Sequence, residues 1–107
     1  MDDLNRFLAE KVLGWTYDDK RDWWRTHEGG VRQGFDPRRS LFHCEPLLDK
    51  IEQDGWDWSC LGSGEARWTE FSMWRNENNK DPIEVMAATR TEALCRAIAR
   101  AYGWKGE

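Results

Sequence analysis

Apolar residues recur at helical spacing at the start of the chain and predict a helix over residues 2–13. An aspartate, Asp2 or Asp3, can cap the first turn, where a negative charge also suits the positive end of the helix. Gly14 is a natural end for this helix. Trp15 then stands where an apolar residue packs back against the last turn.

The stretch 89–102 shows the same period and predicts a last helix. Thr89 is expected to cap it, with the side chain of Glu92 returning to the cap in a capping box. Gly103 ends the helix, and Trp104 can fold back over it.

A helix is also predicted over residues 40–54, ended by Gly55. Pro46 interrupts this pattern, because proline removes an amide donor and crowds the preceding turn. The helix is therefore expected either to begin near Glu45, with the proline in its first turn, or to bend at the proline.

Three short stretches after the second helix alternate apolar and polar residues with period two, at 56–60, 67–75 and 83–88. Their connections are short and polar, at 62–64 and 77–82. Such connections favour an antiparallel meander of three strands.

The segment 16–36 is predicted to be a variable aromatic loop or a hairpin. Its charged cluster at 18–22 is expected to be a solvated loop. Gly29 and Gly30 separate two short runs, 23–26 and 31–33, whose aromatic and β-branched residues suggest the arms of a hairpin.

These elements predict the fold class α+β, in the order α-(ββ)-α-β-β-β-α. A three-stranded antiparallel meander, extended if the N-terminal hairpin joins it, would carry the helices packed on it. The 107 residues leave room for one domain, residues 1–107, with the segment 16–36 inside it.

The charge of the chain limits its choice of partner. The formal net charge is −4, and a surface of that sign is poorly suited to general nucleic-acid binding, which requires neutralisation of phosphates. The eight tryptophans are unusual for this length, and several are expected in the core because each can bury a large apolar area.

Cysteine usage and hydropathy point to a cytoplasmic protein that stays inside the cell that makes it. Cys44, Cys60 and Cys95 are odd in number and widely spaced, which favours three reduced core thiols over a disulfide framework. No run of 18 apolar residues predicts a membrane span, and the acidic start does not resemble a secretory leader.

The motifs favour a protein without a catalytic centre or a cofactor. His43 and Cys44 are adjacent, but the sequence has no second close pair of metal-ligand type. The glycines form neither a dinucleotide-binding fingerprint nor a phosphate loop. We therefore predict no enzyme activity, no metal and no cofactor.

The strongest candidate for function is a set of tryptophans and arginines that could bind a partner: Trp23, Trp24, Arg25, Arg32, Arg38 and Arg39. Adjacent tryptophans in an extended segment point to opposite sides, so that one can be core and the other exposed. Tryptophan and arginine are enriched at binding hot spots, and the arginine pair before the second helix could hold a phosphate or carboxylate. The alternative is that the indoles close the edge of the core and the arginines are solvated.

The chain resembles the phage α-β-α sandwich domain family, small proteins of tailed phages and prophages. The similarity is carried by residues 8–15 (LAEKVLGW), 35–40 (FDPRRS) and 87–97 (AATRTEALCRA), and it spans nearly the whole chain. The chain departs from the family in the start of its second helix, which holds Pro46 and lacks an acidic-alanine run. The resemblance implies a phage origin and a sheet covered by helices, and it implies no agreed activity.

Two weaker resemblances also remain open. Residues 45–102 follow the element order of double-stranded RNA-binding domains, whose last helix begins with a cluster of lysines. The corresponding positions here are Arg90, Glu92, Arg96 and Arg100. The strand-strand-strand-helix end is also similar to small antitoxin-type partner domains.

From these patterns we predict a non-enzymatic phage accessory protein that binds a host protein and inhibits an antiphage defence system. Its partner is expected to belong to a nucleic-acid-handling or defence complex, because an acidic surface complements a basic one. The alternative is an oligomeric sponge that sequesters a nucleotide-type signalling molecule between tryptophans and arginines. An RNA-binding or antitoxin-like regulatory module is a weaker alternative, and a homodimer remains open.

Overall fold

The computed structural model describes residues 2–63, 68–75 and 82–106. Within these ranges the chain forms three α-helices, one π-helical segment and two antiparallel three-stranded sheets, which confirms the predicted α+β class. In chain order the elements are α1 (Asp3–Phe7), the π-helical segment (Leu8–Val12), β1 (Thr16–Asp18), β2 (Trp23–Arg25), β3 (Val31–Arg32), α2 (Leu41–Gln53), β4 (Asp57–Ser63), β5 (Trp68–Trp74), β6 (Ile83–Ala87) and α3 (Arg90–Ala101).

The first helix begins as predicted, and its hydrogen bonding then changes from the α to the π pattern. The side chain of Asp2 caps α1 by accepting a hydrogen bond of 2.9 Å from the amide of Leu4. After α1 the bonding changes to the π pattern, in which the amide of Leu13 donates to the carbonyl of Leu8 at 3.0 Å. The prediction of one continuous α-helix was therefore wrong over its second half.

All three helical stretches end in the same glycine–tryptophan pair. The glycines have positive φ angles of 70°, 88° and 99°, and they are Gly14, Gly55 and Gly103. The amide of each following tryptophan donates at 2.9 Å to a carbonyl five or six residues back: Trp15 to Ala9, Trp56 to Ile51 and Trp104 to Ala99. Glycine adopts this left-handed conformation without steric cost, and the returning amide satisfies a carbonyl at the helix end.

The second helix begins at Leu41, one residue after the predicted start at 40, so the alternative start near Glu45 was wrong. It runs Leu41–Gln53 with Pro46 in its interior, where the carbonyl of Phe42 loses its helical donor. The start upstream of the proline is held by a side chain, because the ring nitrogen Nδ1 of His43 accepts a hydrogen bond of 2.9 Å from the amide of Asp36.

The predicted N-terminal hairpin forms, but it does not extend the meander. Strands β2 and β3 pair antiparallel, and β1 adds to the other edge of β2, so the segment makes a small sheet of its own. The nearest strand edge available to β2 along the chain is β1, which directly follows the first glycine–tryptophan pair. Residues 19–22 of the charged cluster form the turn between these two strands, and Asp18 is the last residue of β1.

The meander β4–β5–β6 is antiparallel, as predicted. Its first strand runs to Ser63, past the point where a turn was expected, because Gly62 pairs with Thr69 in the ladder. Of the predicted connections at 62–64 and 77–82, residue 64 and residues 77–81 lie outside the described residues. One face of this sheet is buried through Phe71 and Val85.

Helix α3 is the central layer of the described structure. One side of it packs against β5 and β6, and the other side meets α1, the π-helical segment and α2. Six of its residues are buried: Ala93, Leu94, Cys95, Ala97, Ile98 and Ala99. The three alanines allow both layers to approach the helix closely. In the described ranges no helix is both long and apolar enough to cross a membrane.

Candidate interaction surfaces

The two adjacent tryptophans lie on opposite faces of the small sheet. Trp24 is buried, with its ring 5.0 Å from that of Tyr17, whereas Trp23 is half-buried on the outer face. This arrangement matches the expectation that one indole is core and the other is accessible. Trp24 and Arg32 are register partners, so Arg32 lies on the inner face as well, and Arg25 lies on the outer face with Trp23.

Arg25 and Arg32 are each held by a neighbouring side chain. The guanidinium of Arg25 lies 3.3 Å from a carboxylate oxygen of Asp18 in an exposed ion pair. The guanidinium of Arg32 lies over the ring of Trp15, 5.6 Å from its centroid, in a cation–π contact.

Arg38 joins the segment before α2 to the start of α3. Its Nε donates to a carboxylate oxygen of Glu92 at 2.8 Å, its NH2 donates to the same carboxylate, and its NH1 donates to Asp2. These bonds from Arg38 hold the pKa of Glu92 below its usual range. The Glu92 carboxylate is thereby occupied, so the predicted return to the Thr89 cap was wrong. The other half of that motif forms, since Thr89 Oγ1 accepts from the amide of Glu92 at 3.2 Å.

Arg39, unlike Arg38, is almost fully exposed. Its side chain is 88% exposed, and its Nε lies 4.0 Å from a carboxylate oxygen of Asp36. The six residues singled out from the sequence therefore do not form one surface. Trp24 and Arg38 are structural, whereas Trp23, Arg25 and Arg39 remain accessible at separate places.

Trp24 and Arg39 do share the lining of a polar cleft of about 590 Å³ beside the start of α1. The cleft is lined by Asp2, Asn5, Tyr17, Asp22, Trp24, Gly34, Phe35, Asp36 and Arg39. Asn5 donates from Nδ2 to Asp36 Oδ1 at 2.9 Å. The hydroxyl of Tyr17 donates to Asp22, and this bond raises the pKa of Tyr17. Three carboxylates face one arginine, so the cleft repels phosphate.

A second cavity is an apolar groove of about 500 Å³ at the N-terminal ends of α2 and α3, beside β4. It is lined by Leu41, Phe42, Glu45, Leu48, Trp58, Cys60, Arg90 and Leu94. Phe42 is the most exposed large apolar residue in the described ranges, at 68%. The sequence pattern missed this groove, because it did not single out Phe42.

The third feature is the outer face of the β4–β5–β6 sheet, which no described helix covers. The register places Leu61, Glu70 and Met86 side by side across the three strands. Leu61 is 62% exposed and Met86 61% exposed. The same face carries Asp57, Ser59, Ser72, Trp74 and Glu84. Strict alternation along β4 and β6 would have revealed this face from the sequence.

The three cysteines are free thiols, in agreement with the sequence prediction. Cys44 and Cys95 are buried, and Cys60 is half-buried in the wall of the groove. A hydrogen bond with Cys44, together with burial, raises the pKa of Cys95. Burial also raises the pKa of Cys60. In the part of the chain that the structure describes, no group of three His, Cys, Asp or Glu side chains is placed to hold a metal.

A family model described as the phage ABA sandwich domain matches residues 6–98 of the chain. The chain belongs to this family. The resemblance carried by the first and last helices is thus confirmed. A comparison with curated proteins found no match.

Among solved structures, this phage ABA sandwich protein is similar to a phage protein from Bacillus cereus ATCC 14579, known from a crystal structure. The two are 16% identical, with a TM-score of 0.64, and the similarity covers 92% of this chain and 90% of that one. At this identity the comparison shows a shared fold.

The three surfaces of this phage ABA sandwich protein differ in shape and charge. The polar cleft is lined by three aspartates and one arginine, and the apolar groove by one acid and one base. The outer sheet face is open, and it combines exposed apolar side chains with acidic ones.

Proposed function

We propose that this phage protein is a non-enzymatic accessory protein that binds a basic host protein and inhibits an antiphage defence system. The outer face of the β4–β5–β6 sheet is the docking surface. The observation that carries the proposal is the row Leu61–Glu70–Met86, in which two exposed apolar side chains flank a carboxylate.

Charge sets the class of partner. The described outward positions of this face include three acids, Asp57, Glu70 and Glu84, and neither lysine nor arginine. Such a face attracts a basic patch over long range and disfavours acidic competitors. Proteins that bind nucleic acid present basic patches to the phosphates, which supports a defence or nucleic-acid-handling complex as the target.

Apolar contact supplies the affinity that charge alone does not. Leu61 and Met86 are exposed, and Trp74 is half-buried on the same face. Methionine is adaptable, and tryptophan is enriched at hot spots, so these side chains can supply apolar contact beside the acids of the same face. Trp23 and Arg39 lie elsewhere and can take part only if the partner is large.

The structure offers less support for the rival functions. A nucleotide sponge needs cationic side chains facing its cavity, but Arg38 is engaged by Glu92 and Asp2, and the cleft beside it is acidic. An RNA-binding module needs a basic cluster at the start of its last helix, whereas the first turn of α3 contains the acid Glu92, and Arg96 is paired with it at 3.5 Å.

The test is phage plating on hosts that each carry one antiphage defence system and express this protein. We expect plating to be restored against at least one system, and the inhibited component to co-purify with the protein. Glu70→Lys should abolish both effects. Glu28→Lys is the matched control, because it changes the net charge equally at an exposed turn away from the sheet and should leave both effects intact.

Two outcomes would count against the proposal. One is that no system is inhibited and no host protein co-purifies. The other is that a complex forms but is weakened equally by Glu70→Lys and Glu28→Lys, which would place the binding surface elsewhere.

A further inference from the structure

The apolar groove at the starts of α2 and α3 has both a cavity and a protrusion on one patch. Leu94 is buried and Leu48 and Trp58 are half-buried, so they form its floor, whereas Leu41 and Phe42 stand largely exposed at its rim. A large exposed aromatic next to an apolar cavity is typical of an interface and not of a free surface.

The floor of the groove is rigid. The ring of Trp58 stacks on that of Phe71 at 5.6 Å between centroids, and its Nε1 donates to a carboxylate oxygen of Glu52 at 3.1 Å. A fixed indole keeps the cavity open without a partner, so an incoming side chain would not have to reshape it.

We propose that the occupant is a second copy of this chain, with Phe42 of each copy inserted into the groove of the other. A two-fold interface requires one patch to complement itself, so that residue i meets residue j and j meets i. A protrusion beside a cavity satisfies this condition in shape.

The charges of the patch satisfy the same condition. Glu45 and Arg90 both line the groove, and neither forms an ion pair with a described residue. In a two-fold pair, Glu45 of each copy meets Arg90 of the other. The chain as a whole carries −4, so copies repel one another over most of their surface, and a patch with one acid and one base avoids that repulsion.

This interface would leave the outer sheet face free, because the side chains of Trp58 and Cys60 belong to the opposite face of β4. A dimer would therefore present two acidic faces, and a repetitive or dimeric partner could bind both at once with increased avidity.

Sedimentation equilibrium over a range of protein concentrations tests the proposal. We expect the native chain to approach twice its mass of 12.7 kDa. Phe42→Glu should weaken the dimer about 100-fold, the loss expected for a central hot-spot aromatic. Because Phe42 is exposed, this variant should keep its circular dichroism spectrum, which shows that the fold is intact. Val31→Glu is the control, since Val31 is also exposed, at 54%, but lies outside the groove.

Charge reversal gives the decisive result. Glu45→Arg and Arg90→Glu should each weaken the dimer, and the double variant should restore it, because the pair is only exchanged. A chain that stays monomeric at every concentration overturns the proposal. So does a dimer that survives Phe42→Glu, a species larger than a dimer, or a double variant no tighter than either single one.

Discussion

Arg38 and Arg39 are neighbours of identical chemistry, and the structure predicts opposite results when each is changed to methionine. Arg38 donates from Nε and NH2 to Glu92 and from NH1 to Asp2, and its side chain is 29% exposed. Exposed ion pairs contribute roughly 0.2–1 kcal/mol, and removing one partner of a buried pair costs roughly 3–5 kcal/mol. Arg38 lies between these limits, so Arg38→Met should lower the free energy of unfolding by about 2 kcal/mol.

For a domain of 107 residues, that loss corresponds to a melting temperature roughly 8 °C lower. Urea unfolding followed by tryptophan fluorescence measures the free energy directly. Arg39→Met is the matched control and should change it by less than about 0.5 kcal/mol, as is usual for exposed positions. Combining Arg38→Met with Glu92→Gln should cost less than the sum of the two single changes, because both remove the same bonds.

The hydrogen bonds from Arg38 to Glu92 also predict how the free energy of unfolding depends on pH. Arg38 holds the pKa of Glu92 below its usual value, so the folded state binds this proton less readily than the unfolded state does. The stabilisation is therefore complete above the unfolded pKa of about 4.3 and is lost as the pH falls through the folded pKa. In Arg38→Met, the free energy of unfolding should fall less steeply as the pH is lowered through this range. The reasoning is refuted if Arg38→Met lowers the free energy of unfolding no more than Arg39→Met does. It is also refuted if the free energy of unfolding of Arg38→Met falls as steeply at low pH as that of the native chain.

Three further predictions follow from the packing. Trp24→Ala should lower the free energy of unfolding by about 3–5 kcal/mol, as expected for a buried aromatic, and leave the chain near the limit of folding. Trp23→Ala should cost clearly less. Equal losses in chemical denaturation would contradict the assignment of the two tryptophans to opposite faces. Gly14→Ala and Gly29→Ala should each cost roughly 1–2 kcal/mol, because both glycines have a positive φ that an L side chain disfavours. A loss below about 0.5 kcal/mol at either glycine in chemical denaturation would contradict this. Thiol titration should count three cysteines per chain in denaturant. In the native protein, the reagent should modify Cys60 first, because it is the half-buried one. Detection of a disulfide would contradict this prediction.

The ends of the helices could be predicted because their signals are local. Asp2 and Thr89 are caps of the expected kind, and a glycine–tryptophan pair marks each helix end in the sequence. The π-helical segment could not be predicted in this way, since the same apolar residues satisfy either hydrogen-bond pattern. The separate small sheet was also missed, because sequence alternation identifies strands but does not tell which edges meet in space.

The candidate site was harder to predict than the fold. Trp23 and Trp24 were correctly expected to point to opposite sides, but the sequence does not say which one is buried. Arg38 and Arg39 could not be separated from the sequence, because the partner that distinguishes them, Glu92, lies 54 residues further along the chain. Such long-range pairs depend on the assembled fold.

The central position of α3 affects how the chain folds while it is being made. The helix ends at Ala101, about 100 residues after the start of α1, and ribosomes add roughly 5–20 residues per second, so α3 is complete only about 5–20 s after α1 has begun to be made. Until then, neither the β4–β5–β6 sheet nor the helices α1 and α2 have the helix against which they pack. Their apolar faces stay open for that time, and transiently exposed apolar surface of this kind makes a newly made chain prone to aggregation.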